Sequence, residues 1–448
     1  MMHFETDPAR NFGRMTRRDW LRVGFLGLGG LTLGELARLQ AQGVASPRDT
    51  AVLLLFAHGG PSHLETYDLK PDASDDIRGP YVPIQTNVTG MQVCEHLPKH
   101  ARTAHRYSLI RSCSHDEADH FAGHRRFLSG YGQSKPGSAE SHYPQVGAVA
   151  NRYLRASQPG LPTALAVGGV VVNGPDYSAG ISEGFYSGIH RVPIVQRSLP
   201  DASLRVARAR FDDRLALNRQ FDGMRRDLDI RGSMDLMDTY QRRAIDVLTS
   251  DATRRAFDLS QEDARVRDHY GPGGQEVLVA RRLVEAGVRF VTVCDRGNGA
   301  GSPAFNWDDH AVNWDMLTAM NARMPRYDHI VTTLIDDLFE RGLDKKVLLI
   351  VTGEFGRTPR LERLNGRIGR DHWPSAMSIL VSGGGMRMGQ VIGATTRNGE
   401  RPRERRLDPH DILATIYHHL GIDPTCQHVD STGRPIPLAR GEVIRELY

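Results

Sequence analysis

The stretch Ala51-Val52-Leu53-Leu54-Leu55-Phe56-Ala57 is an unbroken apolar run that ends at His58-Gly59-Gly60. A strand with one face in water alternates apolar and polar residues, whereas an unbroken apolar run is typical of a parallel strand buried on both faces. Such a strand carries the polar residue that follows it to the carboxyl edge of the sheet, where α/β proteins bind ligands. The stretch therefore predicts an α/β fold with His58 at that edge.

Runs of the same kind recur along the chain and alternate with amphipathic patterns of helical period. The further apolar runs are Leu161 to Val167, Val288 to Cys294, Lys346 to Thr352 and Met377 to Ser382. The helical patterns are Gln145 to Ala156, Gln275 to Ala286, Met320 to Arg341 and Pro409 to Leu420. This alternation predicts a three-layer α/β sandwich around a mostly parallel central sheet. Residues 201–268 break the pattern and predict two consecutive amphipathic helices, a helical insertion that packs on one edge or caps the site.

Composition excludes several classes of protein. The chain has 448 residues, of which 40% are hydrophobic and 25% are charged, as in ordinary soluble globular proteins and unlike disordered, collagenous or polytopic membrane proteins. The formal net charge is only +4, and the basic residues are interleaved with acidic ones. Because no dense basic run lies beside aromatic residues, we expect no nucleic-acid partner.

The first 45 residues indicate an export signal. Thr16-Arg17-Arg18-Asp19-Trp20-Leu21-Arg22 precedes an apolar, glycine-rich run from Val23 to Gly34. This arrangement resembles a twin-arginine signal, which implies passage through the twin-arginine translocase as a folded protein and a periplasmic or secreted location. The apolar run is about half of the ~20 residues that span a bilayer, although an uncleaved anchor stays open. We expect a signal peptide at 1–45 and a single domain at 46–448.

The positions of the cysteines predict no disulfide or metal site that would define the fold. The four cysteines lie at wide and irregular spacing, so they form neither a zinc-knuckle pair nor a readable disulfide pattern. One disulfide bridge or none is expected.

Residues of the types that bind metals follow the predicted strands in four segments. These are His58 to His63, Arg111 to Glu117 with His120 and His124 after it, Trp307 to His310, and Thr352 to Thr358 with Gly369 to Trp373 after it. Carboxylates and imidazoles with few thiols favour zinc, manganese or a similar divalent ion over a structural zinc cage. Each segment also has a structural interpretation.

Gly59-Gly60-Pro61 is compatible with a plain turn. Ser114-x-x-Glu117 matches a capping box with Ser114 as the N-cap, and His120 and His124 lie on one helix face as core histidines would. Trp307-Asp308-Asp309-His310 is compatible with the N-cap region of a helix that starts near Ala311. A purely structural role is hardest to assign to the fourth segment, in which Gly353-Glu354-Phe355-Gly356-Arg357 directly follows a predicted strand.

Three phrases together look like the bacterial family called domain of unknown function 1501. They are Leu55 to His63, Thr352-Gly353-Glu354-Phe355-Gly356-Arg357-Thr358-Pro359 and Gly369-Arg370-Asp371-His372-Trp373. The family resembles the alkaline phosphatase and sulfatase superfamily, whose members hydrolyse phosphate or sulfate esters with one or two divalent metals. The resemblance implies an alkaline-phosphatase-like fold over nearly the whole chain.

Carried onto this sequence, the resemblance implies a first metal on Asp308, His310 and His372. It implies a second, weaker metal on His58 and Glu354, helped by Ser112 or His115, because Phe355 stands where the superfamily has a histidine. The resemblance also implies that Asp371 is a metal ligand and that His115, His120 and Arg357 are catalytic residues.

Ser112 resembles a phosphatase-type serine nucleophile, with a metal-bound hydroxide as the alternative. Around Cys113 the chain reads Cys-Ser-His-Asp-Glu, which departs from the formylglycine motif of sulfatases, so no formylglycine is expected.

Two functions follow as expectations. The first is an exported metal-dependent hydrolase of phosphate or sulfate esters, which acts on a small-molecule or glycan ester with zinc as its metal, or calcium or manganese instead. The second is a non-catalytic metal- or glycan-binding protein on the same fold, because a fold does not fix a function.

Overall fold

The computed structural model describes residues 49–132, 142–158, 160–168, 182–186, 188–195, 250–295, 306–430 and 432–448. The predicted signal at 1–45 and the part of the predicted helical insertion that covers 201–249 lie outside these ranges. The end of that insertion is described, and it contains one short helix and the start of another.

The strands, numbered in chain order, are β1 (Ala51–Ala57), β2 (Pro83–Gln85), β3 (Gln92–Cys94), β4 (Tyr107–Cys113), β5 (Ala164–Val167), β6 (Ile194–Val195), β7 (Phe290–Asp295), β8 (Val347–Thr352), β9 (Gly356–Arg357), β10 (Glu362–Leu364), β11 (Arg367–Gly369), β12 (His372–Trp373), β13 (Met377–Gly383), β14 (Val391–Ile392), β15 (Ala394–Thr395), β16 (Pro402–Glu404), β17 (Gln427–Val429) and β18 (Pro435–Pro437).

The helices are α1 (Asp75–Arg78), α2 (Pro98–Thr103), α3 (His120–Ser129), α4 (Val146–Tyr153), α5 (Asp251–Phe257), α6 (Ala264–Tyr270), α7 (Gln275–Ala286), α8 (Met316–Glu340) and α9 (Pro409–Leu420). Within the described ranges, none of these helices combines the length and the apolar character that a membrane crossing requires.

An 8-stranded sheet with the order β14-β4-β13-β8-β1-β7-β5-β6 forms the centre of the molecule. Strand β13 runs antiparallel to its neighbours β4 and β8, whereas the other pairings in this sheet are parallel. The predicted mostly parallel sheet is therefore confirmed. Because β13 is reversed, it starts at the edge where its neighbours end, which brings the segment before it to that edge as well.

Strand β1 is apolar on both sides, so both faces of the sheet must be buried, and helices cover both. Leu53 and Leu55 belong to one hydrophobic core, which α7 and α8 complete. Val52, Leu54 and Phe56 belong to a second core on the opposite face, which α3, α4 and α9 complete. The molecule is thus the predicted three-layer α/β sandwich.

The sequence patterns locate most elements well. β1, α7 and α9 have the predicted bounds, and β13 extends the predicted strand by one residue. Strand β5 starts only at Ala164, since Pro162 has no N–H to donate to a sheet. The helix expected near Ala311 begins instead at Met316, where the Asp315 carboxylate caps it by accepting from Thr318 N–H at 3.0 Å.

A buried ion pair fixes the loop that leads into α8. Both Nη atoms of Arg323 donate to the Asp309 carboxylate at 2.8 Å, and the guanidinium carbon lies 4.4 Å from the Trp307 ring centre. Trp307 in turn donates from Nε1 to Asp295 at the end of β7, at 3.2 Å. The ion pair and the indole therefore hold this loop against the carboxyl edge of the sheet.

Replacement of Arg323 by methionine tests this anchor. Arg323→Met leaves the Asp309 carboxylate buried without its counter-charge, so the free energy of unfolding should fall by about 3 to 5 kcal/mol. Arg403→Met is the matched control, because Arg403 pairs with Glu404 on the surface, where both side chains are over 60% exposed. Urea unfolding measures both variants, and equal small effects would contradict the anchor.

Candidate metal centre

Imidazoles and carboxylates from five segments converge at the carboxyl edge of the sheet. They form two groups in which the potential ligand atoms lie within 4.8 Å of one another. The buried group is His58, His124 and Glu354, and the outer group is His120, Asp308 and His372. The sequence-based prediction that His58, Asp308, Glu354 and His372 meet at this edge agrees with this arrangement.

The buried group joins the ends of two central strands to helix α3. His58 follows β1, and its Nδ1 lies 3.5 Å from Glu354 Oε1 and 3.2 Å from His124 Nε2. His124 Nε2 is 3.8 Å from Glu354 Oε2. Two nitrogens and one carboxylate therefore point at a common position.

The outer group is built around the Asp308 carboxylate. Its Oδ1 lies 2.8 Å from His310 Nε2 and 3.1 Å from His372 Nε2. The two imidazole nitrogens are themselves 2.9 Å apart. His310 therefore lies with the outer group, as predicted.

His120 connects the two groups. Its Nδ1 lies 2.6 Å from Glu354 Oε1, and its Nε2 lies 3.3 Å from Asp308 Oδ1. One imidazole thus reaches a carboxylate of each group. The two groups adjoin, and together they make one centre with donors on both sides of His120.

Both carboxylates are held in the charged form. Burial opposes the charge of Glu354, but the adjacent histidines hold the pKa of this carboxyl below its usual range. Burial likewise opposes the charge of Asp308, yet hydrogen bonds from the outer imidazoles and the charge of Arg357 hold its pKa well below the usual range. Each group therefore contains an anionic oxygen donor at neutral pH.

The imidazoles divide into neutral and charged ones. Burial lowers the pKa of His58 and His372, and it lowers the pKa of His124 to about 3. Burial also opposes the charge of His120, but its contacts with the two carboxylates raise its pKa to about 9. The pKa of His310 is raised because its contact with Asp308 outweighs burial. Three histidines thus have the neutral form that metal coordination requires.

Gly59 and Gly60 bring the loops of the centre together. Both have positive φ, 105° and 79°. A Cβ atom on Gly59 would lie 2.5 Å from Asp308 N, and one on Gly60 would lie 2.5 Å from the Phe355 ring. These glycines therefore permit close approach of the neighbouring loops.

Arg357 is a positioning residue of the centre. It is 1% exposed and donates from Nε to Gly60 O at 3.0 Å, from Nη1 to Arg370 O at 3.0 Å and from Nη2 to Trp307 O at 3.0 Å. Nη2 also donates to Asp308 Oδ1 at 2.8 Å. The guanidinium is enclosed by protein groups, so the predicted catalytic contact with substrate does not fit its position.

Asp371 and His115 contact residues of the two groups. Asp371 Oδ1 lies 2.6 Å from His310 Nδ1, the ring nitrogen that faces away from Asp308. His115 donates from Nε2 to the main-chain oxygen of Glu354 at 2.6 Å, and its Nδ1 accepts from Glu117 N–H. Burial lowers the pKa of His115 to about 4. Asp371 was predicted as a ligand and His115 as a catalytic residue; Asp371 contacts the outer group through His310, and main-chain groups engage both ring nitrogens of His115.

The structure does not bring Ser112 to the centre. Ser112 lies in β4 with 0% exposure, and its hydroxyl donates to Arg405 O at 2.6 Å. The capping box predicted at Ser114 is also wrong, because α3 begins at His120 and Asp119 caps it by accepting from two backbone N–H groups. Neither serine is placed for nucleophilic attack.

His124 was not among the metal ligands predicted from the sequence. Its spacing of four residues from His120 puts both side chains on one face of α3, and this is the signal that identifies the pair. Phe355 is fully buried, with its ring 4.4 Å from the His372 ring and 5.3 Å from the His120 ring. The third donor of the buried group comes from α3, while Phe355 packs between the imidazoles.

Several solved structures resemble the chain at low sequence identity. A sulfatase, PsFucS1 from Pseudoalteromonas sp., is 13% identical with a TM-score of 0.37, over 87% of this chain and 70% of the sulfatase. The C-terminal periplasmic domain of EcEptC from Escherichia coli, in complex with zinc, is 10% identical with a TM-score of 0.39, over 85% and 86%. Alkaline phosphatase from the Antarctic bacterium TAB5 is 12% identical with a TM-score of 0.37, over 84% and 99%.

No curated protein sequence is significantly similar to the chain. A family model described as a protein of unknown function, DUF1501, matches residues 49–448, which include every element and every residue of the centre. The chain therefore belongs to the DUF1501 family.

Proposed function

We propose that this protein is an exported, metal-dependent hydrolase of phosphate or sulfate esters. The observation that carries the proposal is the pair of adjoining donor groups at the carboxyl edge of a mostly parallel sheet. Two such groups, each with an anionic oxygen and at least one neutral imidazole, fit two divalent ions better than one.

The donor chemistry favours zinc. The buried group offers two imidazole nitrogens and one carboxylate, and the outer group offers imidazoles around the Asp308 carboxylate. Nitrogen-rich sets with a carboxylate suit zinc, whereas calcium prefers sets made of oxygen alone. Manganese is the alternative that the same donors would accept.

Divalent ions in such a centre polarise an ester oxygen and lower the pKa of water, so that hydrolysis proceeds at neutral pH. The protein residues fix the direction of approach. The side chains of His58, His124 and Glu354 are at most 4% exposed, whereas those of His310, His372 and Asp308 are 16–20% exposed. A substrate therefore reaches the centre from the outer group.

A non-catalytic metal- or glycan-binding protein is the competing function. A hydrolase should hold about two metal ions per chain after purification without chelators, and it should turn over aryl phosphates or sulfates in a reaction that stops with EDTA and returns with zinc. Elemental analysis and an ester screen measure these properties. A protein that holds metal tightly and hydrolyses none of these esters would contradict the hydrolase and support the competing function.

Substitution of one ligand in each group should remove one ion. His124→Gln removes a donor of the buried group at similar volume, and His372→Ala removes a donor of the outer group, so each variant should bind about one zinc and lose activity. His105→Ala, an exposed histidine elsewhere, is the control that should keep two. Inductively coupled plasma analysis gives the stoichiometry. Unchanged zinc in both variants would show that these histidines are structural.

Asp371→Asn tests the support of His310. A carboxylate on the far nitrogen of a metal-bound histidine fixes the ring and raises its basicity, and its loss commonly weakens metal affinity about 10- to 100-fold. Competition with a chelator of known zinc affinity measures the effect on the outer group. Asp75→Asn, a surface change in α1, is the control. Equal affinities in the two variants would contradict this role.

Export is proposed from the paired arginines before the apolar run. Arg17→Lys together with Arg18→Lys should leave the protein folded in the cytoplasm, because a twin-arginine signal depends on the pair. Arg10→Lys together with Arg14→Lys alters two nearby arginines and should be exported normally. Cell fractionation measures both, and periplasmic protein from the first double variant would contradict the proposed route.

A further inference from the structure

Exposed apolar side chains are concentrated beside the outer group. Of the six large hydrophobic residues that are exposed in the described part of the chain, three lie on one loop and the adjacent β10–β11 hairpin: Val312 (63% exposed), Trp314 (36%) and Leu364 (38%). Val312 and Trp314 follow the proposed ligand His310 by two and four residues. We call these three side chains the apolar rim.

The β10–β11 hairpin is in direct contact with the loop that carries Val312 and Trp314. Leu364 and Arg367 are opposite each other in the β10–β11 hairpin, so their side chains share a face. Arg367 Nη1 donates to the main-chain oxygens of Val312 and Asn313, at 3.4 and 3.3 Å. The face that carries Leu364 is thus turned toward the loop that carries Val312 and Trp314.

The backbone of the rim is tied to the metal centre. The N–H groups of Asn313 and Trp314 both donate to His310 O at 3.0 Å. The Asn313 side chain donates to Asp308 Oδ2 at 3.4 Å. The rim therefore has a fixed position relative to two proposed ligands, on the side from which a substrate approaches.

The rim has the size of a small-molecule contact. Single exposed apolar residues are common on soluble proteins, but a group of them beside a candidate ligand-binding centre indicates binding. Three partly exposed side chains fall far short of the ~1,200 Å² that a stable protein interface buries. The Trp314 side chain is 36% exposed, so part of the indole is available for contact with a ligand.

Resting on the proposed function, we propose that the apolar rim binds the organic group of the substrate ester, and that this group is an aromatic or similarly flat apolar ring. The acid group of the ester lies at the metal centre, and the ring stacks on Trp314 with Val312 and Leu364 at its edge. The substrate class is therefore aryl or other ring-bearing esters, in preference to esters of short alkyl alcohols.

Binding of non-hydrolysable analogues to the zinc-loaded protein tests this proposal. The probes are phenylphosphonate and methylphosphonate, with benzenesulfonate and methanesulfonate as the sulfate-type pair, and isothermal titration calorimetry gives the dissociation constants. Trp314→Ala should weaken binding of the phenyl compound about tenfold, since a stacked ring pair contributes about a factor of ten at most. Binding of the methyl compound should not change. Val312→Ser should act in the same direction, and Val429→Ser, an equally exposed valine in β17, should behave as the unaltered protein.

Three other results would contradict the rim proposal or the proposed function. If the unaltered protein binds phenyl and methyl compounds equally, the rim has no role and the proposed hydrolase is unaffected. If Trp314→Ala weakens both compounds equally, the substitution has disturbed the His310 loop and the rim proposal fails. If the zinc-loaded protein binds none of the four probes, the proposed function itself fails, and the rim proposal fails with it.

Discussion

The buried carboxylate of Glu354 is the constraint on which the centre depends. It is 0% exposed, and transfer of an unpaired carboxylate from water into protein costs several kcal/mol. The compensation comes from distant parts of the chain: Gly59 N–H donates to both carboxylate oxygens at 3.0 and 3.1 Å, and His58, His120 and His124 surround them. The ends of β1 and β8 and the start of α3 must therefore meet at this anion.

Arg357 imposes the complementary constraint on the outer loops. Its guanidinium is as deeply buried as the carboxylate, and main-chain oxygens of three separate loops accept its hydrogen bonds. The remaining contact is with Asp308, so the same cation balances the carboxylate of the outer group. The Glu354 carboxylate thus contacts the inner histidines, and the Arg357 guanidinium binds the outer loops. The glycines at 59 and 60 let these two sets of residues come into contact.

The pattern of apolar strands predicted where the centre lies but not every member of it. It placed His58 and Glu354 correctly, because an unbroken apolar strand can deliver its next polar residue only to the sheet edge. It misplaced Ser112, since a residue within β4 points into packing and its hydroxyl is satisfied by a backbone oxygen. It did not select His124 and took Asp371 for a ligand, because local spacing does not determine which side chain reaches the centre and which supports it from outside.

The unequal burial of the two groups connects the centre with the proposed export route. Donors enclosed as fully as His124 and Glu354 can exchange an ion only when the structure opens locally, at a free-energy cost that approaches global unfolding in the core. A twin-arginine signal exports chains that have already folded, so the buried group would take its ion where the chain folds, before export. On the same proposal, the outer group, with its partly exposed Asp308 and His372, would load after export. The metal of the buried group would then be set by the cytoplasm and that of the outer group by the exported environment.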